Sequence, residues 1–189
     1  MKRFGWLLGW LLLMANHQAW SQIQATHLSN NIIERKIIMN AQLETQLSEV
    51  VKKALHHEIP LHFSTRIQLS RRDQFFIFPY RTHLVDIQYT TQLRYSHFER
   101  RYHLHNQRNN NREHFSRLED ALHTLGHFQQ FEVAELAQTH HGLRYDIRLQ
   151  LKLDYWSLPA PLFTEALLNS DWRLTSPWFT SPFETGRNR

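Results

Sequence analysis

The chain has 189 residues, of which 41% are hydrophobic and 21% charged, with a formal net charge of +5 and no cysteine. That length suffices for one domain with its own core, and the missing thiols exclude disulfides, thiol catalysis and cysteine-based zinc sites. The small net charge, without a long basic run, argues against a nucleic-acid partner.

The first element is "MKRFGWLLGWLLLMANHQAWSQ". Lys2 and Arg3 make a positive start, Phe4 to Ala15 is apolar, and Ala19 and Ser21 put small residues before Gln22. This is the pattern of a signal peptide over residues 1–21, cut after Ser21. The apolar run is shorter than the roughly 20 residues of a spanning helix. The expected location is therefore periplasmic or secreted. The alternative is an inner-membrane anchor formed by residues 4–15, and only an uncleaved leader makes the membrane a partner. Residues 22–180 are expected to form a single domain and residues 181–189 a disordered C-terminal tail.

Alternation dominates the chain beyond the leader. In "IERKIIMNAQLETQL" the apolar residues Ile33, Ile37, Met39, Ala41, Leu43 and Leu47 recur at odd positions, which predicts a strand. Ser48 then caps a helix in "EVVKKALHH", with Val51, Ala54 and Leu55 inward, and Pro60 stops it. "LHFSTRIQL" and the stretch 83–95 return to alternation. A polar loop, "NQRNNNRE" at 106–113, precedes the helix "SRLEDALHTLG". There Ser116 and Glu119 have capping-box spacing, and Gly126 suits a left-handed end. In "LRYDIRLQLKLD" Tyr145, Ile147, Leu149, Leu151 and Leu153 face one way, with Arg144, Asp146, Arg148 and Lys152 on a wet outer face. The fold class is α+β, mostly β: an antiparallel sheet or sandwich with two short helices and a Trp/Pro-rich C-terminal tail.

That tail is "SLPAPLFTEALLNSDWRLTSPWFT". Pro159 and Pro161 impose an extended path, Phe163, Ala166 and Leu167 have helical spacing, and Asn169, Ser170 and Asp171 suit a turn. Each of Trp156, Trp172 and Trp178 can bury on the order of 200 Å². The three rings are read as a clasp closed over the core, in preference to a sugar- or peptide-binding groove.

Signatures of chemistry are scarce. No nucleophile elbow, phosphate-cradling glycine loop, dinucleotide fingerprint or zincin helix occurs, and "HHEIPLH" lacks the second histidine at the needed spacing. No catalytic residue and no cofactor are assigned. Arg94, Arg100, Arg101 and Arg108, with Arg112 and Arg117 nearby, form a basic segment suited to an anionic partner, either an envelope protein or an anionic surface component. The rival reading is a periplasmic metal- or small-ligand-binding protein. His103 and His105 stand two apart on one strand face and need a third ligand from elsewhere.

The stretches "EIPLHF", "LRYSHFERRYHLH" and "LEDALHTLG", and above all "RLQLKLDYWSLPAPLFTEALLNSDWRLTSPWF", resemble the bacterial family domain of unknown function 4390. Pro159, Pro161, Asp171, Trp172 and Trp178 fall on its closing motif. His57-Glu58 departs from it, where a glycine often precedes Ile-Pro-Leu, and so does "FFIF" at 75–78, which replaces a Trp-rich stretch. The resemblance implies a small exported protein with no established activity, cofactor or catalytic residue. Neighbouring genes in the family imply an accessory to a two-component sensor. Together these readings give a non-enzymatic envelope binding module.

Overall fold

A computed structural model describes residues 22–140 and 142–185. The expected signal peptide or anchor at 1–21, and the last residues 186–189, lie outside the described residues. The alternating runs become β1 (Gln22–Ile33), β2 (Lys36–Gln46), β3 (Leu61–Phe75), β4 (Phe78–Ser96), β5 (Arg101–Asn106), β6 (Asn111–Phe115), β7 (His127–Glu135), β8 (Arg144–Leu153) and β9 (Phe179–Glu184). Three α-helices rather than two punctuate them: α1 (Glu49–His56), α2 (Leu118–Leu125) and α3 (Ala160–Leu168). The strands form two antiparallel sheets, ordered β1-β2-β7 and β6-β5-β4-β3-β8-β9. The fold is therefore α+β and mostly β, as the alternation predicts.

The dry faces of the two sheets share the core. Ile37, Met39 and Leu43 come from the small sheet, while Phe63, Ile67 and Leu149 from the large one are equally inaccessible. At one side the sheets meet through their edge strands, where Asn30 Nδ2 donates to Ser181 Oγ at 2.6 Å. At the opposite side α2 packs against β2, β5 and β6.

Several local expectations change. The predicted strand from Ile33 is two strands, because Glu34 and Arg35 both take positive φ (48° and 65°) and turn the chain back on itself. Two such residues make the tight turn whose twist suits a hairpin, although glycine or asparagine normally occupies it. The polar loop at 106–113 is shorter than expected. Asn106 and Asn109 accept from backbone N–H groups two residues on, and β6 begins at Asn111. Ser116 and Glu119 form no capping box: Arg117 occupies the α2 N-cap with no side-chain hydrogen bond. Gly126 is not left-handed either (φ −90°, ψ 0°). Its lack of a side chain serves a close approach, since a Cβ there would lie 2.1 Å from the Leu43 carbonyl oxygen. The Gly126 carbonyl in turn accepts from Leu43 N at 2.9 Å, docking the end of α2 on β2.

The α1 cap forms as predicted, and it does more. Ser48 Oγ accepts from Val51 N and donates to the Asp171 carbonyl at 2.9 Å, tying α1 to the tail. Pro161 sits in the first turn of α3, where a missing N–H costs nothing. Asn169 Oδ1 accepts from Asp171 N, shaping the turn that delivers Trp172. The chain then runs back along β8: Leu153 N donates to Leu174 O at 2.7 Å, and Ser176 N to Leu151 O at 2.9 Å. The expected disordered tail is corrected at residues 181–184, which belong to β9 and pair with the start of β8. This pairing, with Phe183 stacked on Tyr145, is long-range and leaves no local mark in "FTSPFE".

Of the three tryptophans in the C-terminal segment, only Trp172 is sealed in the core, at 0% exposure. Trp156 is 68% exposed and lies against Tyr155 and Phe163. Trp178 carries the Arg148 guanidinium 4.3 Å over its ring. The clasp is thus one indole and a strand, not three rings. Trp172→Ala should cost about 3–5 kcal/mol in urea unfolding, whereas Trp156→Ala should stay within about 0.5 kcal/mol of the parent.

Candidate functional site

The second face of the large sheet is polar along its whole width, and cross-strand register decides which charges meet there. On β3, Ser70 lies between His83 of β4 and Asp146 of β8, and Arg72 pairs with Arg81 one step along. Asp146 is drawn under these arginines. It is 0% exposed, accepts from Arg72 Nε at 2.8 Å and from Arg81 Nε at 3.3 Å, and so is not the solvated outer residue its alternation suggests. A carboxylate can be buried in this way because two guanidinium groups replace its water. Nearby, Asp86 accepts from Arg66 Nε at 2.9 Å and from Gln68 Nε2 at 3.1 Å. The Arg66 hydrogen bond, helped by Gln68, holds the Asp86 carboxyl down at about 2 against the effect of burial.

At the β6 end the same face is composed differently. Arg94 pairs with His103, and His103 with His114, while Gln92 pairs with His105, and His105 with Arg112. These side chains line a shallow cleft of about 260 Å³. Arg101, two residues before His103, shares its face. Among the described residues no carboxylate pairs with Arg94, Arg101 or Arg112. Of the expected arginine set, then, Arg94 and Arg101 come together and Arg112 joins them. Arg100 lies exposed in the β4–β5 turn with φ 52°. Arg108 is elsewhere, its guanidinium 4.2 Å over the Phe131 ring and 5.8 Å over Tyr89.

The histidines also regroup. His105 Nε2 lies 2.8 Å from Asn110 Oδ1 and does not meet His103. Instead His114 Nδ1 lies 2.8 Å from His103 Nδ1, the rings meeting edge to face at 4.6 Å. Glu99, in the preceding turn, brings Oε2 to 2.9 Å from His103 Nε2. One ligand atom from each of Glu99, His103 and His114 falls within 4.8 Å of the others, so among the described residues these three are placed where they could hold a metal ion. The His103 side chain is 17% exposed, and its pKa is pushed below the usual value first by burial, then by His114, Arg94 and Arg101, with Glu99 opposing. Sequence reading misses His114 because its partner is set across a hairpin, eleven residues away.

Two other features stand out. A cavity of about 630 Å³ opens between β4–β6 and α2–β7, with Tyr89, Leu104 and Phe128 as floor and Asn111, His123 and His127 at its polar rim. Burial pushes the Tyr89 hydroxyl up to about 12. At the tip of the β3–β4 hairpin, Phe76 (82% exposed), Ile77 and Phe78 stand in solvent.

No helix among the described residues is long and apolar enough to cross a membrane. A family model described as Domain of unknown function (DUF4390) matches residues 20–182. None of the curated proteins and none of the solved structures compared with the chain matches it.

The paired half of the face has a measurable signature. Because the Asp86 carboxyl titrates at about 2 instead of the ordinary 3.8, its contribution to stability is complete above about pH 4 and is lost as the pH falls toward 2. Asp86→Asn should therefore melt below the parent at pH 6, and the gap should close near pH 2. Asp146→Asn, which breaks charge-assisted bonds, should cost about 2 kcal/mol at pH 7 by urea unfolding.

Proposed function

The chain belongs to the family described as domain of unknown function (DUF4390), and from the geometry of its polar face we propose that it is a non-enzymatic binding module of the cell envelope, holding an acidic segment of another envelope protein against β4–β6. One observation carries this reading. At the far end of the face Arg66, Arg72 and Arg81 are occupied by Asp86 and Asp146, whereas Arg94, Arg101 and Arg112 have no carboxylate among the described residues. Unpaired guanidinium groups on a rigid sheet are ready donors for carboxylates, which they bind in fork geometry.

The neighbouring edge supports the choice of an extended protein segment. β6 is the last strand of its sheet, so its outer N–H and C=O groups face no strand among the described residues. An added segment can pair along that edge while its acidic side chains reach Arg112 on β6. Export rests on the leader pattern in residues 1–21. The non-enzymatic reading rests on a sequence that pairs no nucleophile with a base. The sensor association that the family resemblance implies makes the extracytoplasmic segment of a sensor protein the first partner to test.

The test uses the exported form and its triple variant Arg94→Glu, Arg101→Glu, Arg112→Glu. Each is cross-linked in envelope extracts and titrated with anionic phospholipid vesicles. A specific protein captured by the parent, with affinity reduced at least about tenfold in the variant and by added salt, is the expected result. Equal capture by both forms overturns the role of the face. Binding to vesicles with no captured protein overturns the choice of partner.

A further inference from the structure

We propose that Glu99, His103 and His114 form a binding site for a divalent transition metal ion of the zinc class, open on one side to an anionic ligand. The site is built by register. His103 on β5 and His114 on β6 are direct cross-strand partners, which sets their Cβ atoms roughly 5 Å apart on one face. Glu99 approaches from the β4–β5 turn, two residues before β5 begins. The three side chains come from a turn and two strands that the hairpin already holds in place, so little ordering remains to be done on binding.

The polar atoms are left in a state that a cation completes. His103 Nε2 is buried and has no hydrogen-bond partner among the described residues, although Glu99 Oε2 lies only 2.9 Å away, because the two are out of line for a hydrogen bond. Two imidazoles and a carboxylate match the donor set of zinc and its neighbours, while calcium and magnesium prefer oxygen alone. Tetrahedral zinc with bonds of about 2.0–2.1 Å spaces its ligand atoms by roughly 3.3 Å. The two short contacts use different nitrogens of His103, Nδ1 toward His114 at 2.8 Å and Nε2 toward Glu99 at 2.9 Å, so an ion held by one of these nitrogens needs the other neighbour drawn in from within 4.8 Å by rotation about its side-chain torsions.

Three protein ligands would leave a fourth coordination position for another ligand, and His103 and His114 both line the cleft that Arg94 and Arg112 share. Those arginines disfavour a bare cation and favour one whose open position carries an anion. A carboxylate entering the cleft would be met by the metal and the guanidinium groups together. The metal site does not rest on the proposed partner, since the three ligands stand without it.

The experiment uses the exported form carrying no polyhistidine tag, stripped with chelator and titrated with zinc chloride by calorimetry. Binding of one equivalent is expected. His114→Ala and Glu99→Gln should each weaken it at least about tenfold, and His105→Ala should leave it unchanged. Both substituted ligands are exposed, so circular dichroism melts of the metal-free variants should match the parent. The absence of saturable binding up to about 1 mM zinc overturns the site. So does a one-equivalent event that survives His114→Ala. No partner is present in this titration, so its failure leaves the partner reading intact, and failed capture leaves the metal site intact.

Discussion

Across the middle of the large sheet, Ile67 on β3 lies between Ile87 on β4 and Leu149 on β8, and this register settles the side on which every charge falls. Phe63, Ile67 and Leu69 point to the core, while His62, Arg66 and Ser70 point away from it. A slip of one residue would turn the whole set over and drive the Arg66 row into the core. The antiparallel pairing of three long strands resists such a slip. The polar face inherits its arrangement from that constraint.

The face is divided by how its carboxylates are used. Asp86 and Asp146 neutralise the arginines around the β3–β4–β8 end, and Asp146 does so with no exposure at all. A buried carboxylate is tolerated only while its partners stay, so this half ties strands together and offers little to a ligand. Toward β6 the acids run out, and histidines and arginines stand side by side with Glu99 as the one carboxylate in contact among the described residues. A surface with unspent charge at one end and spent charge at the other has a direction, which suits recognition of an extended partner.

The C-terminal segment stabilises this sheet from its other face and edge. Trp172 fills the core, Ser176 exchanges hydrogen bonds with Leu151 through both backbone and hydroxyl, and β9 extends the sheet beyond β8. Ser48 connects the same segment to α1. On the path between these anchors Pro159 is the N-cap of α3 and Pro161 sits in its first turn. Trp156, by contrast, lies outside the core with Phe163 and adds little to closure.

Much of this was legible in order along the chain. Period-two alternation announces β2, β3, β4 and β8, because a half-buried strand must keep one face dry. Ser48 announces its cap, and the closing Trp/Pro motif announces the family and the burial of Trp172. Local signals fail where the cause is not local. Glu34-Arg35 makes a turn without turn residues, Gly126 is small because Leu43 approaches it, and β9 exists only because β8 has a free edge. The same holds for the sites. Composition identifies arginine and histidine as the residues to watch, but it cannot tell Asp146 under two guanidinium groups from an aspartate in water. Nor can it pair His103 with His114 instead of His105. Sequence determined which faces are wet and which are dry, since that depends on the order of side chains along one strand. Only tertiary structure decided which wet residues meet, since that depends on the register between strands distant in the chain.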